Sequence, residues 1–240
     1  GWSDAEPAPK LLSETQARDY NYGIFSFRTG NIYTARMLRQ WLGYAFDEAE
    51  LPAEYWQNDK GRICDPLRPA IEPDGFVDQA EMRASRAATL AAIRQAVKGA
   101  NVFVFTMGLT ECWRNRETGL EYAMCPGTLA GEFDPAQHEF VNQGFAGIRR
   151  DMRAALKVLR RANPKLKVLL TVSPVPLTAT ASGQHVLTAT SYSKSVLRAV
   201  AGELAMEYEH VDYFPSYEII THPAYRGMFY APNQRSVVPQ

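Results

Sequence analysis

The sequence predicts an α/β fold in which helices cover a mainly parallel sheet. Three short runs rich in β-branched and aromatic residues, VFVFTMG, KVLLTVSPVP and VDYFPSYEII, have the composition of strands buried on both faces. Two segments with apolar residues at helical spacing lie between them, at residues 145–162 and 191–208. This alternation of strand and helix is typical of a parallel sheet covered by helices.

The amino-terminal half adds two predicted helices and two loop-rich excursions. The piece GNIYTARMLRQWLGYAF predicts a helix that begins after Asn31, and residues 79–98 predict a second one. Residues 47–80 carry four prolines with several glycines and aspartates, and residues 114–142 carry the turn signals CPGT and FDP. We therefore expect a single domain, residues 1–240, interrupted by these two excursions.

Composition excludes several classes of function. The chain has 240 residues, 46% of them hydrophobic, which is enough for a sizeable core. Lys and Arg number 26, as do Asp and Glu, so the net charge is zero and the basic footprint of a nucleic-acid-binding protein is missing. We interpret the one basic segment, LRRANPKLK, as the solvated end of a helix. No apolar run approaches the roughly 20 residues that span a bilayer, so we expect a cytoplasmic protein without a membrane partner.

Cysteine and histidine usage argues against metals and cofactors. Cys64, Cys112 and Cys125 are an odd number without CxxC spacing, which disfavours a zinc site or a disulfide framework. We expect reduced thiols, with a Cys112–Cys125 disulfide as the alternative. The four histidines are widely dispersed, and the sequence contains no phosphate-binding or dinucleotide-binding motif, so no metal and no cofactor are expected. The histidines are His138, His185, His210 and His222.

The candidate site lies where the predicted strands end, because ligands of open parallel sheets bind outside the carboxyl ends of the strands. The stretches delivered there are GLTE, SPVPLTAT and PSYEIITH. Gly108 suits a close backbone approach, in a tight turn or beside an oxyanion. Glu111 is a base, an orienting group for a histidine or a ligand of substrate hydroxyls; capping of a helix that starts there explains it equally well.

Other residues near these strand ends carry the same ambiguity. Thr110 contacts a ligand or caps a helix, and Ser173 fits a strand end kinked by prolines better than it fits a nucleophile. His185 is the histidine of most interest, because it lies in the loop after SPVPL. For the aromatic residues a core role is favoured over carbohydrate stacking. They are Trp41, Trp113 and Tyr217.

Five ordered motifs resemble the GSCFA domain family of bacterial proteins. They are YGIFSFRTGNIYTAR, VFVFTMGLTECW, LLTVSPVPLTAT, ATSYSKSVLR and YFPSYEI, and the likeness runs over nearly the whole chain. That family is similar to SGNH/GDSL hydrolases. The resemblance implies a three-layer α/β/α, flavodoxin-like fold and a Ser-His-Asp type of site that hydrolyses or transfers acyl groups, often acetyl groups on carbohydrates. The substrate class comes from this resemblance alone.

Only some of the site residues of SGNH hydrolases have a counterpart in this sequence. Gly30 and Asn31 in GNIYT resemble the SGNH block whose glycine N–H helps to form the oxyanion hole. The stretch Gly108–Glu111 stands at the GxND block, with Thr110 in place of the usual asparagine. The piece FYAPNQRSV has Asn233 and Ser236 where a DxxH pair is expected, and no GSCFA motif occurs. We therefore expect a chain truncated at both ends, whose nucleophile lies upstream of residue 1.

These departures leave two hypotheses. In the first, the domain is an SGNH-like acyl ester hydrolase or O-acyltransferase that acts on an acylated carbohydrate or a related small ester. His185 is then the best candidate for the displaced base, Glu111 is a second catalytic candidate, and Gly30 N–H with Thr110 stabilises the oxyanion. In the second, the domain is a non-catalytic relative that keeps the pocket and binds a glycan or a protein.

Overall fold

A computed structural model describes residues 5–238 of the chain. In chain order these residues form α1 (Glu14–Asp19), α2 (Ala35–Ala45), β1 (Trp56–Gln57), β2 (Ile63–Cys64), α3 (Gln79–Gly99), β3 (Val102–Met107), β4 (Glu111–Asn115), β5 (Glu121–Tyr122), β6 (His138–Asn142), α4 (Phe145–Ala162), β7 (Lys167–Val172), α5 (Val186–Glu207), β8 (Val211–Tyr213), α6 (Ser216–Thr221) and the 3-10 turn Pro223–Tyr225.

The prediction of an α/β fold is confirmed by a parallel sheet with the strand order β3-β7-β8. Val102 pairs with Lys167 and Met107 with Val172, while Val168 pairs with Val211. The main core joins the buried side chains of this sheet to those of α2, α3, α4 and α5. Among residues 5–238, no helix is both long enough and apolar enough to cross a membrane.

Local signals account for the helices that the sequence predicts. The side chain of Thr34 caps α2 by accepting a hydrogen bond from the Met37 amide at 3.1 Å. Asp78 caps α3 in the same way, accepting from the Glu81 amide at 2.8 Å. The predicted helix 145–162 is confirmed as α4, which ends at the Asn163-Pro164 break. The helix predicted to begin at residue 191 begins earlier, at Val186.

Strand β3 is less buried than predicted. Val102 and Val104 are 53% and 51% exposed, whereas Phe105 and Met107 on the other face are buried. Within the described part of the chain β3 pairs with β7 alone, so it is an edge strand and one of its faces is uncovered. The prediction of burial on both faces is therefore wrong for β3. The residue types of a strand indicate whether it can be buried. The position of the strand in the sheet decides whether other elements pack against its faces.

The third predicted strand is also shorter than expected. Only Val211–Tyr213 of VDYFPSYEII pair with β7, and the later residues form helix α6. Pro215 has no N–H to donate to a ladder and stands directly before α6. The Ser216 hydroxyl then donates to the carbonyl of Val172 at 3.0 Å, which anchors the start of α6 at the end of β7.

The loop-rich excursion at residues 114–142 also contains most of a second sheet. Strands β5, β4 and β6 pair antiparallel in that order, and Glu111 at the start of β4 pairs with Asn142 at the end of β6. Glu111 therefore begins a strand, and its interpretation as a helix cap is wrong. Strand β5 has only two residues, and a long connection separates it from β6, so no local alternation revealed this sheet in the sequence.

The excursion at residues 47–80 contains the β1–β2 hairpin and a buried ion cluster. Asp65 is fully buried and accepts hydrogen bonds from Arg68 at 3.0 Å and from Arg86 at 2.7 and 3.0 Å. Burial opposes ionisation of Asp65, but the two guanidinium groups outweigh it and hold the pKa of the carboxyl below its ordinary value. The cluster thus joins the excursion to α3 through charges that have no access to water.

We predict that Asp65→Ala destabilises the domain by about 3–5 kcal/mol, because it leaves two buried guanidinium groups without a counter-charge. Asp74→Ala is the matched control, since it breaks the exposed Lys60–Asp74 pair and costs no more than about 0.5 kcal/mol. Urea unfolding followed by circular dichroism measures both free energies. Equal stabilities of the two variants would contradict the role given to the cluster.

Candidate functional site

A cavity with a volume of about 450 Å³ opens where β3 ends. Its walls come from the start of α2, from β4 and β5 with the turn that follows them, and from the loop after β7. The lining is mainly apolar and aromatic, with two carboxyl groups, which is the usual composition of a small-molecule site. The lining residues are Asn31, Tyr33, Thr34, Met37, Leu109, Glu111, Cys112, Trp113, Glu121, Tyr122, Ala123, Met124, Cys125, Phe140, Ala179, Thr180 and Ala181.

The turn after β3 is tied to the segment that precedes α2. The carbonyl oxygen of Tyr33 accepts hydrogen bonds from the amides of Gly108 at 2.8 Å and Leu109 at 3.1 Å. A Cβ atom on Gly108 would lie 3.0 Å from Tyr33 Cδ1 and 3.3 Å from the Tyr33 carbonyl oxygen, so the close approach favours glycine at this position. The Gly108 carbonyl, which shares a peptide group with the Leu109 amide, accepts a hydrogen bond from the buried Lys194 ammonium at 2.8 Å. The Gly108 amide is therefore engaged within the protein and does not face a ligand.

Glu111 and the loop after β7 meet at the cavity. Thr180 donates from its hydroxyl to Oε1 of Glu111 at 2.5 Å, and the hydroxyls of Thr180 and Ser182 lie 2.7 Å apart. The structure thus brings together the GLTE and SPVPLTAT stretches. The third stretch, PSYEIITH, contributes none of the lining residues. Its Glu218 instead accepts from Arg198 and from the Tyr213 hydroxyl.

Of the two candidate residues in the GNIYT block, Asn31 lines the cavity and Gly30 does not. Gly30 has a positive φ of 68°, which favours glycine, and it is not among the lining residues. Asn31 is exposed and lines the cavity, so its side-chain amide is available to a ligand. Of the two, Asn31 is the one that the geometry places in contact with the cavity.

Thr110 and Ser173 are not among the residues that line the cavity. Thr110 is fully buried, its carbonyl accepts from the Gln143 amide at 2.8 Å, and its hydroxyl has no partner among the described residues. Ser173 Oγ accepts from the Val175 amide at 3.3 Å, while the Ser173 amide donates to the Met107 carbonyl at 2.9 Å. These contacts close the end of β7 against β3, which agrees with the structural interpretation of Ser173.

His185 is the amino-terminal cap of α5. Its Nδ1 accepts from the Leu187 amide at 3.3 Å, the side chain is exposed, and His185 is not among the residues that line the cavity. Asn233 and Ser236 form an exposed turn, in which Asn233 Oδ1 accepts from the Ser236 amide at 2.9 Å. A catalytic role of His185 remains a prediction, and no contact between His185 and the cavity supports it.

Glu121 is the cavity residue that sequence reasoning missed. It is 1% exposed; its oxygens accept hydrogen bonds from the Thr34 hydroxyl and, at 2.9 Å, from the side-chain amide of Gln143. Burial dominates over these two donors and raises the pKa of Glu121 to about 7. A buried carboxyl with a pKa near neutrality is able to bind and release a proton under physiological conditions. The only signal in the sequence is a glutamate within the otherwise apolar stretch LEYAM.

The cysteines carry free thiols, and two of them, Cys112 and Cys125, line the cavity. Burial, and for Cys112 also the nearby Glu121, raises the pKa of these thiols, so both are neutral at physiological pH. Across residues 5–238, no three side chains of the His, Cys, Asp and Glu types stand together as a metal site would require.

We predict that the contribution of Glu121 to stability falls as the pH rises from about 4.5 to about 7, because the folded state holds the Glu121 proton more tightly than the unfolded state. The folded pKa of about 7 lies above the ordinary 4.5. The stabilisation by the Glu121 proton is therefore complete below the ordinary pKa and is lost as the pH rises through about 7. The free energy of unfolding changes by at most about 3 kcal/mol from this group.

The measurement is urea unfolding at several pH values for the wild type and for Glu121→Gln, which keeps a neutral side chain throughout. The variant should lose most of this slope, whereas the exposed control Glu117→Gln should retain it. An unchanged slope in Glu121→Gln would assign the pH dependence to other groups.

We predict that Gly108→Ala lowers stability by about 1–3 kcal/mol, because the new methyl group meets the ring and the carbonyl of Tyr33. Gly99→Ala, at the end of α3, is the control, since its added Cβ meets nothing within 4 Å. Thermal unfolding should show a lower midpoint for Gly108→Ala alone. If both variants melt together, the Tyr33 junction does not constrain the turn.

Comparisons with known proteins give one match. The sequence profile of the GSCFA family matches residues 9–240, which is nearly the whole chain. Searches of curated proteins and of solved structures find no match. The match includes the stretches that form the cavity, from GNIYT through GLTECW to the loop after β7. On the extent of this match, the chain belongs to the GSCFA family.

Proposed function

We propose that this domain is an SGNH-like acyl ester hydrolase or O-acyltransferase that acts on an acylated carbohydrate or a related small ester. The observation that carries the proposal is the cavity at the end of β3, where the GLTE stretch and the loop after β7 meet around Glu111. The family match and the parallel β3-β7-β8 sheet with its helices support a three-layer SGNH arrangement for this site.

Glu111 is the group that we assign as the base. Its Oε1 already accepts an O–H from Thr180 at 2.5 Å, which is the contact that a base makes with an attacking hydroxyl. When the oxygen of an attacking hydroxyl bonds to the ester carbonyl carbon, its proton passes to Glu111 and the carbonyl oxygen becomes an oxyanion. The family resemblance assigns that attack to the serine of a GSCFA motif, which these 240 residues do not contain.

Asn31 and Glu121 complete the proposed assignments. The Asn31 side-chain amide is a donor at the mouth of the cavity and suits an oxyanion contact. Glu121 holds a proton up to about pH 7 and suits protonation of the leaving alkoxide as the carbon–oxygen bond breaks. Two carboxyl groups in different environments are a common basis for dividing base and acid roles.

A specific observation favours the second candidate, a glycan-binding module without catalysis. Tyr33, Trp113, Tyr122 and Phe140 line the cavity, and aromatic side chains of this kind pack against sugar rings. His185, the histidine that an esterase of this kind would use, lies outside the lining. Binding without turnover is what this candidate predicts.

The test is hydrolysis of a chromogenic acetyl ester and of acetylated sugars by the intact protein, because the serine nucleophile of the proposal is not among these 240 residues. We expect Glu111→Gln to lower kcat/KM by about 100-fold or more, because it removes the base and keeps the size of the side chain. Glu117→Gln, an exposed glutamate outside the cavity, is the control and should retain full turnover. His185→Ala should change kcat/KM little, because His185 lies outside the cavity lining.

The outcomes separate the candidates. Loss of turnover in His185→Ala with full turnover in Glu111→Gln would transfer the role of base to the histidine. Saturable glycan binding by an intact protein that carries the GSCFA serine but turns over no ester would establish the binding module and overturn the enzyme proposal.

A further inference from the structure

The cavity at the end of β3 has an unusual balance of charge. Two glutamates line it, and neither lysine, arginine nor histidine appears among the described residues of its wall. Two other large depressions of the surface each contain several cations, among them Arg161 and Lys157. Since the whole chain has as many basic as acidic residues, this one-sided charge is a property of the site and not of the composition.

Neither carboxyl group has a cationic partner within the described part of the chain. Glu111 forms no salt bridge, and its one side-chain hydrogen bond, from Thr180, leaves the second carboxylate oxygen without a donor. Glu121 accepts from the neutral groups of Thr34 and Gln143, and the attraction of Arg36 is too weak to offset the burial that raises the Glu121 pKa. The nearest guanidinium, that of Arg36, is paired with Asp151 at 3.1 Å and is not part of the lining.

Aromatic rings supply a second, independent preference for positive charge. Tyr33, Trp113, Tyr122 and Phe140 all contribute to the wall. The ring centroids of Trp113 and Phe140 lie 5.5 Å apart in an edge-to-face packing that holds both rings in place. The faces of such rings carry negative charge density and attract ammonium groups, most strongly where water is excluded.

We propose that the ligand of this cavity carries an ammonium group, which the Glu111 carboxylate and the aromatic wall recognise. The inference rests on the proposed function only in taking this cavity as the substrate site, and it names the substrate class as esters or alcohols that bear a cationic nitrogen. Amino sugars and quaternary ammonium alcohols share this chemistry. The Glu111 carboxylate disfavours anionic ligands, such as phosphorylated or carboxylated sugars.

The test is a binding measurement that requires no turnover. Isothermal titration of the wild-type chain near neutral pH compares choline with its neutral carbon isostere 3,3-dimethyl-1-butanol, and glucosamine with glucose. We expect the charged member of at least one pair to bind about tenfold more tightly than its neutral partner. Preference within the first pair identifies a quaternary ammonium ligand, and preference within the second identifies an amino sugar.

Substitutions test whether the preference for the charged ligand arises in the cavity. Glu111→Gln and Trp113→Leu should each reduce the charged-over-neutral ratio several-fold, while the exposed control Glu117→Gln should leave the ratio unchanged. Circular dichroism verifies that each variant is folded, and the matched pairs already decide the question on the wild type if a variant is not. Equal binding within both pairs, or tighter binding of acetate than of the ammonium probes, overturns the proposal.

The result is separable from the proposed catalysis. If the cavity prefers ammonium probes but the intact protein with its GSCFA serine hydrolyses no ester, this inference is retained and the enzymatic one is lost. A chain that hydrolyses esters and shows no preference for charge would do the reverse.

Discussion

The carbonyl oxygen of Tyr33, which accepts hydrogen bonds from both Gly108 and Leu109, is the contact on which the geometry of the site depends. It joins the segment before α2 to the end of β3, and it exists because residue 108 has no side chain to separate the two backbones. Lys194 holds the same peptide from the side of α5. Since Glu111 follows three residues later, at the start of β4, its approach to the loop after β7 is a consequence of this junction.

Two buried carboxyl groups show how partners decide the state of an acid. Asp65 and Glu121 are both almost fully withdrawn from water. Asp65 lies between two guanidinium groups, whose attraction exceeds the cost of burial, so its pKa is lowered. Glu121 has only neutral donors in contact, so burial dominates and its pKa is raised. The first acid therefore links parts of the fold as a permanent charge, whereas the second is free to exchange a proton inside the cavity.

The net charge of zero conceals a separation of charge over the surface. The cavity wall carries acids without bases, and the cleft beside the carboxyl end of α4 is lined by Arg153, Lys157, Arg160 and Arg161. At distances beyond a Debye length of about 8–10 Å, solvent screens one region from the other. A ligand at the end of β3 therefore responds to the local charge of Glu111 and not to the balance of the whole chain.

The sequence by itself determined the α/β class, the position of α4 and the candidate turn at Gly108 and Glu111, because apolar periodicity, capping residues and proline breaks act between near neighbours. Tertiary structure alone decided that β4 pairs with β6, that Val104 is exposed at a sheet edge and that Glu121 enters the cavity. It also placed His185 outside that cavity, as a helix cap. These features depend on contacts between residues far apart in the chain, and no local pattern records which distant segment will cover a given side chain.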